Sequence, residues 1–156
     1  MINSKQLTLS EVTSKQILKK FGVTFAQESE VFSAKDAADV ASKIGFPVAI
    51  KVCANAISHK TERGLVRLNI RNTEEALTAA NELLQLTTKA DGDVSLLVAK
   101  MESGRRELIV GLVRDHQFGA LVMCGLGGIF AEVFSDIVCA PAPLSKQGAL
   151  QMLTRL

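Results

Sequence analysis

Pro47-Val48-Ala49-Ile50-Lys51-Val52-Cys53 is the stretch whose reading decides the fold. As a strand of period 2 it puts Val48, Ile50 and Val52 on one face and Ala49, Lys51 and Cys53 on the other. The first face is wholly apolar; the second carries one amine among small side chains. A lysine in that setting can lean into a cleft and meet a phosphate. A solvated lysine on the open face of a sheet is the alternative, and the pattern alone leaves both open.

Working upstream, Gly45 stops a helix whose buried side is Ala37, Val40, Ala41 and Ile44, and whose start has the capping-box spacing Ser33…Asp36. Before it come a short extended piece at Glu30-Val31-Phe32 and a first helix. Ser10 is that helix's N-cap, Val12, Ile17, Leu18 and Phe21 its apolar stripe, and Gly22 its stop. Downstream, a second strand runs from Gly64 to Ile70, and Asn72 caps a helix with Glu75 at N3 and Ala76, Leu77, Ala80, Leu83 and Leu84 inward. A polar turn at Lys89-Ala90-Asp91-Gly92-Asp93 precedes three strands, Ser95–Met101, Glu107–Arg114 and Ala120–Cys124. The short Ser103-Gly104 connection predicts a hairpin between the first two. Ser145 opens a last helix through Leu150 and Leu153. The order α-β-α-β-β-α-β-β-β-α implies an α+β fold with mainly antiparallel sheets and helices on one face. Too many strands follow one another without helices for a doubly wound sheet. The last helix reaches Leu156 with no cap or following strand, so the domain is expected to be incomplete at its C-terminus.

Composition narrows the function classes. At 156 residues and 47% hydrophobic content the chain can build a real core, and 22% charged residues argue against long disorder. A net charge of +2, with neither Trp nor Tyr, is poor material for gripping nucleic acid, so no nucleic-acid partner is expected. Cys53, Cys124 and Cys139 lack CxxC spacing and sit in or beside apolar runs, which reads as buried free thiols in a reducing cytosol. Met1-Ile2-Asn3-Ser4-Lys5 has no apolar stretch behind its charge, and no run approaches the roughly 20 residues of a membrane span. No signal peptide and no membrane partner are expected, and the expected location is cytoplasmic.

Three further segments could carry chemistry. The loop 54–64 holds His59 with Lys60 and Arg63 nearby. A neutral imidazole can attack phosphorus, and the two cations could offset a phosphoryl charge, although an idle surface histidine fits as well. In Phe118-Gly119 through Phe130, a strand enters the Gly-rich turn Gly125-Leu126-Gly127-Gly128, where backbone N–H groups could approach an anion. Position 130 is Phe where GxGxxG needs glycine, and no Gly-Lys-Ser/Thr follows, so neither dinucleotide nor Walker fingerprint is met. Glu132 and Asp136, four apart, would share a helix face and could hold a divalent ion, but an extended segment is equally consistent.

The order of these signals resembles a known family. Leu9-Ser10-Glu11 with Lys15 and Phe21-Gly22-Val23 is similar to the opening helix of succinyl-CoA synthetase β-subunits. Ile44 through Lys51, Ser58-His59-Lys60-Thr61, Arg106 through Gly111, Gly125 through Val133 and Ala142-Pro143-Leu144-Ser145 together resemble the ATP-grasp domain of ADP-forming acetyl-CoA (acyl-CoA) synthetases. The resemblance runs from about Leu7 to Leu153. It implies two small α/β subdomains after an N-terminal helix, with boundaries at 1–29, 30–94 and 95–156. It also implies ATP/ADP and Mg²⁺ as ligands, the metal ligands lying outside this chain, and a CoA-binding subunit or domain as partner.

Residue by residue, the resemblance implies that Lys51 contacts ATP phosphates and that the backbone from Val98 to Met101 pairs with the adenine edge. Glu107 would hold the ribose hydroxyls, and Gly127, Gly128 and Glu132 would lie near the phosphate end. His59 would relay a phosphoryl group from a partner phosphohistidine to ADP. Departures stand beside these matches. Gly64-Leu65 replaces a glycine pair, Ala99 a glutamine and Ala140 an arginine, and the Asp-Ile-Asn-Pro-like motif is absent. The chain alone is expected to be catalytically inert, and a degenerate, regulatory nucleotide-binding module is the competing reading.

Overall fold

The computed structural model describes residues 9–54, 57, 62–104, 107–128 and 137–156. The chain divides into two units, Met1–Glu102 and Ser103–Leu156.

Unit 1 contains α1 (Glu11–Lys19), β1 (Glu28–Val31), α2 (Ala34–Ile44), β2 (Val48–Cys53), β3 (Val66–Ile70), α3 (Thr73–Gln85), a 3-10 turn (Lys89–Asp91) and β4 (Ser95–Lys100). The strands form one antiparallel sheet in the order β1-β4-β2-β3. The expected side-chain caps are present. Ser33 Oγ accepts from Asp36 N at 3.1 Å, and Asn72 Oδ1 accepts from Glu75 N at 2.8 Å. The Glu75 carboxylate reaches back to Arg71 N at 2.8 Å, just ahead of the N-cap, so the entry into α3 is fixed from both sides. Gly45 ends α2 at φ 87°, a conformation that a side chain disfavours.

The core lies on the predicted face of β2. Val48, Ile50 and Val52, with Leu96 and Val98 from β4, pack against Ala37, Ala41 and Ile44 of α2 and Ala76, Ala80 and Leu83 of α3. Alanines on both helices let these elements approach closely, while the large side chains supply the apolar area. Each fully buried Leu, Ile or Val stabilises by about 1.5–3 kcal/mol.

Unit 2 contains β5 (Leu108–Asp115), β6 (Gly119–Leu126), β7 (Ile137–Pro141) and α4 (Lys146–Leu153), with an antiparallel sheet in the order β5-β6-β7. Asp115 Oδ1 shapes the β5–β6 turn by accepting from Gln117 N at 2.8 Å and Phe118 N at 2.9 Å. Those backbone donors hold the Asp115 carboxyl below its ordinary pKa.

Several expectations are corrected. Segments 95–101 and 107–114 do not form a hairpin: β4 pairs with β1 and β2, and β5 pairs with β6. Ser95 through Ala99 are buried on both faces, and such a strand belongs at a sheet centre. With β4 in its sheet, the first compact unit runs to Glu102. An additional strand, β7, ends in Pro141, which an edge strand tolerates because its outer side needs no N–H donor. Cys53 and Cys124 are buried, but Cys139, on that edge strand, is exposed. Helix α1 buries none of its residues, and Ile17, Leu18 and Phe21 of its apolar stripe are exposed. No helix among the described residues is long and apolar enough to cross a membrane.

Candidate functional site

Period-2 alternation puts Lys51 on the face of β2 opposite the core, and ladder register identifies its surroundings. Lys51 stands opposite Leu97, Ala49 opposite Ala99 and Cys53 opposite Ser95; beyond β4, Glu28 and Glu30 stand opposite Ala99 and Leu97. Small and apolar residues thus floor a face whose rim is charged. Ser95 Oγ donates to Glu30 there.

Helix α1 meets this face through charge. Lys51 Nζ lies 3.1 Å from Glu11 Oε1, that carboxylate oxygen lies 2.9 Å from Lys15 Nζ, and Lys15 reaches Glu28 Oε2 at 2.6 Å. The four groups alternate in sign as Lys51, Glu11, Lys15 and Glu28. Lys51 keeps 29% side-chain exposure, against 9% for Glu28, so the row runs from half-buried to nearly covered. Burial works against the Lys15 charge, but hydrogen bonds to Glu28 and Glu11 and their charges outweigh it and raise the Lys15 pKa. Lys15 also sits 5.6 Å from the Phe25 ring centroid. Partly exposed pairs of this kind contribute about 0.2–1 kcal/mol each.

The predicted adenine segment is largely committed inside unit 1. Val98 is fully buried, points into the core and lies mid-strand between two neighbours. Lys100 N donates to Gln27 O at 2.8 Å and Met101 N to Pro47 O at 3.1 Å, while Met101 Sδ accepts from Asn69 N at 3.1 Å. These three contacts hold the end of β4 in place and leave neither amide hydrogen for a ligand.

Within unit 2, three predicted residues come together. Glu107 precedes β5 and Gly127 follows β6, so they extend the ladder by one step, with Gly127 N donating to Glu107 O at 2.8 Å. A Cβ on Gly127 would stand 3.0 Å from Glu107 Cβ; one on Gly128, at φ 64°, would stand 3.2 Å from Glu107 Oε2. The glycines admit the glutamate. A carboxylate beside the turn disfavours a phosphate at that spot and favours a hydroxyl donor.

His59, Glu132 and Asp136, with Lys60, lie outside the described residues. Arg63, considered as an offset for phosphoryl charge, instead forms a two-pronged pair with Asp91, NH1 to Oδ1 at 2.7 Å and NH2 to Oδ2 at 3.1 Å. That guanidinium, together with the Thr88 N–H, holds the Asp91 carboxyl well below the usual carboxylate range. Among the described residues no group of three His, Cys, Asp or Glu side chains could hold a metal ion. A groove of about 490 Å³ between β3 and α3 contains neither Lys51 nor Glu107. On its rim Arg67 pairs with Glu82 and Asn72 with Glu75, so volume alone does not make it the site.

Sequence reasoning singled out neither Glu11 nor Asp91 for the roles they play. Glu11 had one local signal, its i,i+4 spacing to Lys15 at the start of α1; its contact with Lys51 spans 40 positions.

Comparison with known proteins accounts for the layout. The β subunit of acetate–CoA ligase [ADP-forming] I from Pyrococcus furiosus is 37% identical over 151 residues, 95% of this chain and 65% of that subunit. The chain thus spans about two thirds of the length of that relative. The dinucleotide-forming acetyl-coenzyme A synthetase 1 of Candidatus Korarchaeum cryptofilum, in complex with coenzyme A and Ca-AMPCP, superimposes with a TM-score of 0.84 at 33% identity, over 96% of this chain and 67% of that one. A second structure of that synthetase carries coenzyme A and Mg-AMPPCP, with a phosphohistidine segment pointing towards the nucleotide binding site; its TM-score is 0.73 at 33% identity, over 94% of this chain and 62% of that one. All of residues 1–156 match a single family, and the chain belongs to the ATP-grasp domain family.

Proposed function

We propose that the chain is the ATP/ADP-binding portion of an ADP-forming acyl-CoA synthetase. With a CoA-binding subunit or domain, it would interconvert acyl-CoA, ADP and phosphate with carboxylic acid, ATP and CoA. The observation that carries this reading is the match over 95% of the chain to an acetate–CoA ligase β subunit. The half-buried amine of Lys51, on the face of β2 opposite the core, supports it.

In this reading Lys51 neutralises phosphate charge, and Glu107 accepts hydrogen bonds from the ribose hydroxyls. Adenine meets the chain near Met101, through groups other than the two committed amide hydrogens. Gly127 and Gly128 serve by admitting Glu107, and Glu132 lies towards the phosphate end. His59 accepts a phosphoryl group from the partner's phosphohistidine and passes it to ADP. Little covalent chemistry is asked of the protein, so positioning and charge neutralisation supply the catalysis. Mg²⁺ would offset phosphate charge, but the described residues offer it no ligand set, and no step is assigned to it.

The test incubates the chain and its CoA-binding partner with Mg²⁺ and ATP labelled at the γ-phosphate. Acid-labile, base-stable label on the chain that vanishes in His59→Ala is expected. Saturable ATP binding with no label would instead indicate a regulatory module. Lys51→Ala should weaken ATP binding on the order of 10- to 100-fold, as expected for one charged hydrogen bond, and AMP binding less. Equal weakening of both would remove Lys51 from the phosphates.

A further inference from the structure

We infer that Glu11 is the built-in counter-ion of Lys51, which a nucleotide phosphate must displace, and that it thereby weakens the binding of phosphate-bearing ligands relative to the bare nucleoside. The inference rests on the assignment of Lys51 to the phosphates made above.

Three observations lead to it. First, the Lys51 amine is already engaged, with Glu11 Oε1 at 3.1 Å. An ammonium has three donors but one charge, so a phosphate arriving at Lys51 meets a like-charged carboxylate at contact range. Second, Glu11 has another partner ready. Lys15, one turn along α1, already holds the same oxygen at 2.9 Å, and Lys15 is itself tied to Glu28 at 2.6 Å. The carboxylate can leave Lys51 without becoming an isolated charge. Third, α1 buries no residue, so its shift away from the sheet opens no hole in the core.

The consequence is selective by charge. A nucleoside without phosphate leaves the Lys51–Glu11 pair intact and gains nothing from its removal. A diphosphate replaces one anion with another and loses the strength of the original pair. Glu11 therefore opposes every phosphate ligand while leaving recognition of the base and sugar untouched.

Calorimetry of the chain with ADP and with adenosine tests this. Glu11→Gln should tighten ADP binding by about 5-fold, the upper range for a partly exposed ion pair, with adenosine binding unchanged. Glu11→Asp keeps the charge and should stay close to the parent. In the Lys51→Ala background Glu11→Gln should give no gain, because its effect runs through the amine. Glu11→Gln that leaves ADP binding flat or weaker, that tightens adenosine equally, or that still helps without Lys51 overturns the counter-ion role. Lys51→Ala with undiminished ADP binding would overturn the phosphate assignment itself. Weakened ADP binding in Lys51→Ala beside a flat Glu11→Gln would overturn the counter-ion role alone.

Discussion

In unit 1 the sheet closes one face beneath two alanine-rich helices, whereas in unit 2 the equally apolar strand β5 leaves its large side chains exposed. Ile50, Leu83 and Leu96 have no exposure at all, while Val110 and Leu112 of β5 keep 68% and 70%. Alternation writes an apolar face into a strand, but only an opposing layer turns that face into a core. Unit 1 has its layer in α2 and α3. Among the described residues of unit 2, only α4 has the form of one, and it buries Met152 alone.

The sharpest way to break this contrast is truncation of one large side chain on each side. Leu83→Ala should destabilise unit 1 by about 2–5 kcal/mol, through lost burial and the cavity left behind. Leu112→Ala should stay within about 0.5 kcal/mol. Urea unfolding would measure both, and comparable losses would mean that β5 is covered in solution. Next in size is Gly128→Ala, expected to cost about 1–2 kcal/mol, because a left-handed residue would gain a Cβ against the Glu107 carboxylate. A companion Glu107→Ala should leave only the backbone part of that penalty, so the difference measures how tightly turn and glutamate pack.

The smallest effect at neutral pH sharpens the comparison from the electrostatic side. Asp91 has a lowered folded-state pKa, so its pairing stabilises fully above the unfolded value near 3.8 and is lost only as pH falls through the lower folded value. Lys15 is the mirror case: its raised pKa gives stability below 10.5 that fades as pH rises through the folded value. Circular dichroism across pH should show Asp91→Asn losing its deficit only in strong acid, and α1 of the parent loosening only in strong base. A deficit that closes near pH 4 would mean the Arg63 pair is not formed in solution.

How much of this was legible follows the range of each interaction. The caps at Ser33 and Asn72 and the inward face of β2 depend on residues within a few positions, and sequence gives them directly. The ATP-grasp assignment was legible because its motifs keep a fixed order along the chain. The place of β4 between β1 and β2 was not, since its neighbours begin 67 and 47 positions earlier, and the Ser103-Gly104 connection looked like a nearer solution. Lys51 could be put on a face but not given its partner. Gly127, Gly128 and Glu107 could each be singled out, yet nothing local says that the glycines make room for the glutamate.

The central position of β4 also orders events during synthesis. Among the described residues β1 pairs with β4 alone, although it is made some 65 residues sooner. Until Ser95–Lys100 has left the ribosome, β1 has no ladder to join and the β2–β3 pair keeps an open edge. The first hundred residues must therefore become folded nearly at once, with the last-made strand acting as the keystone.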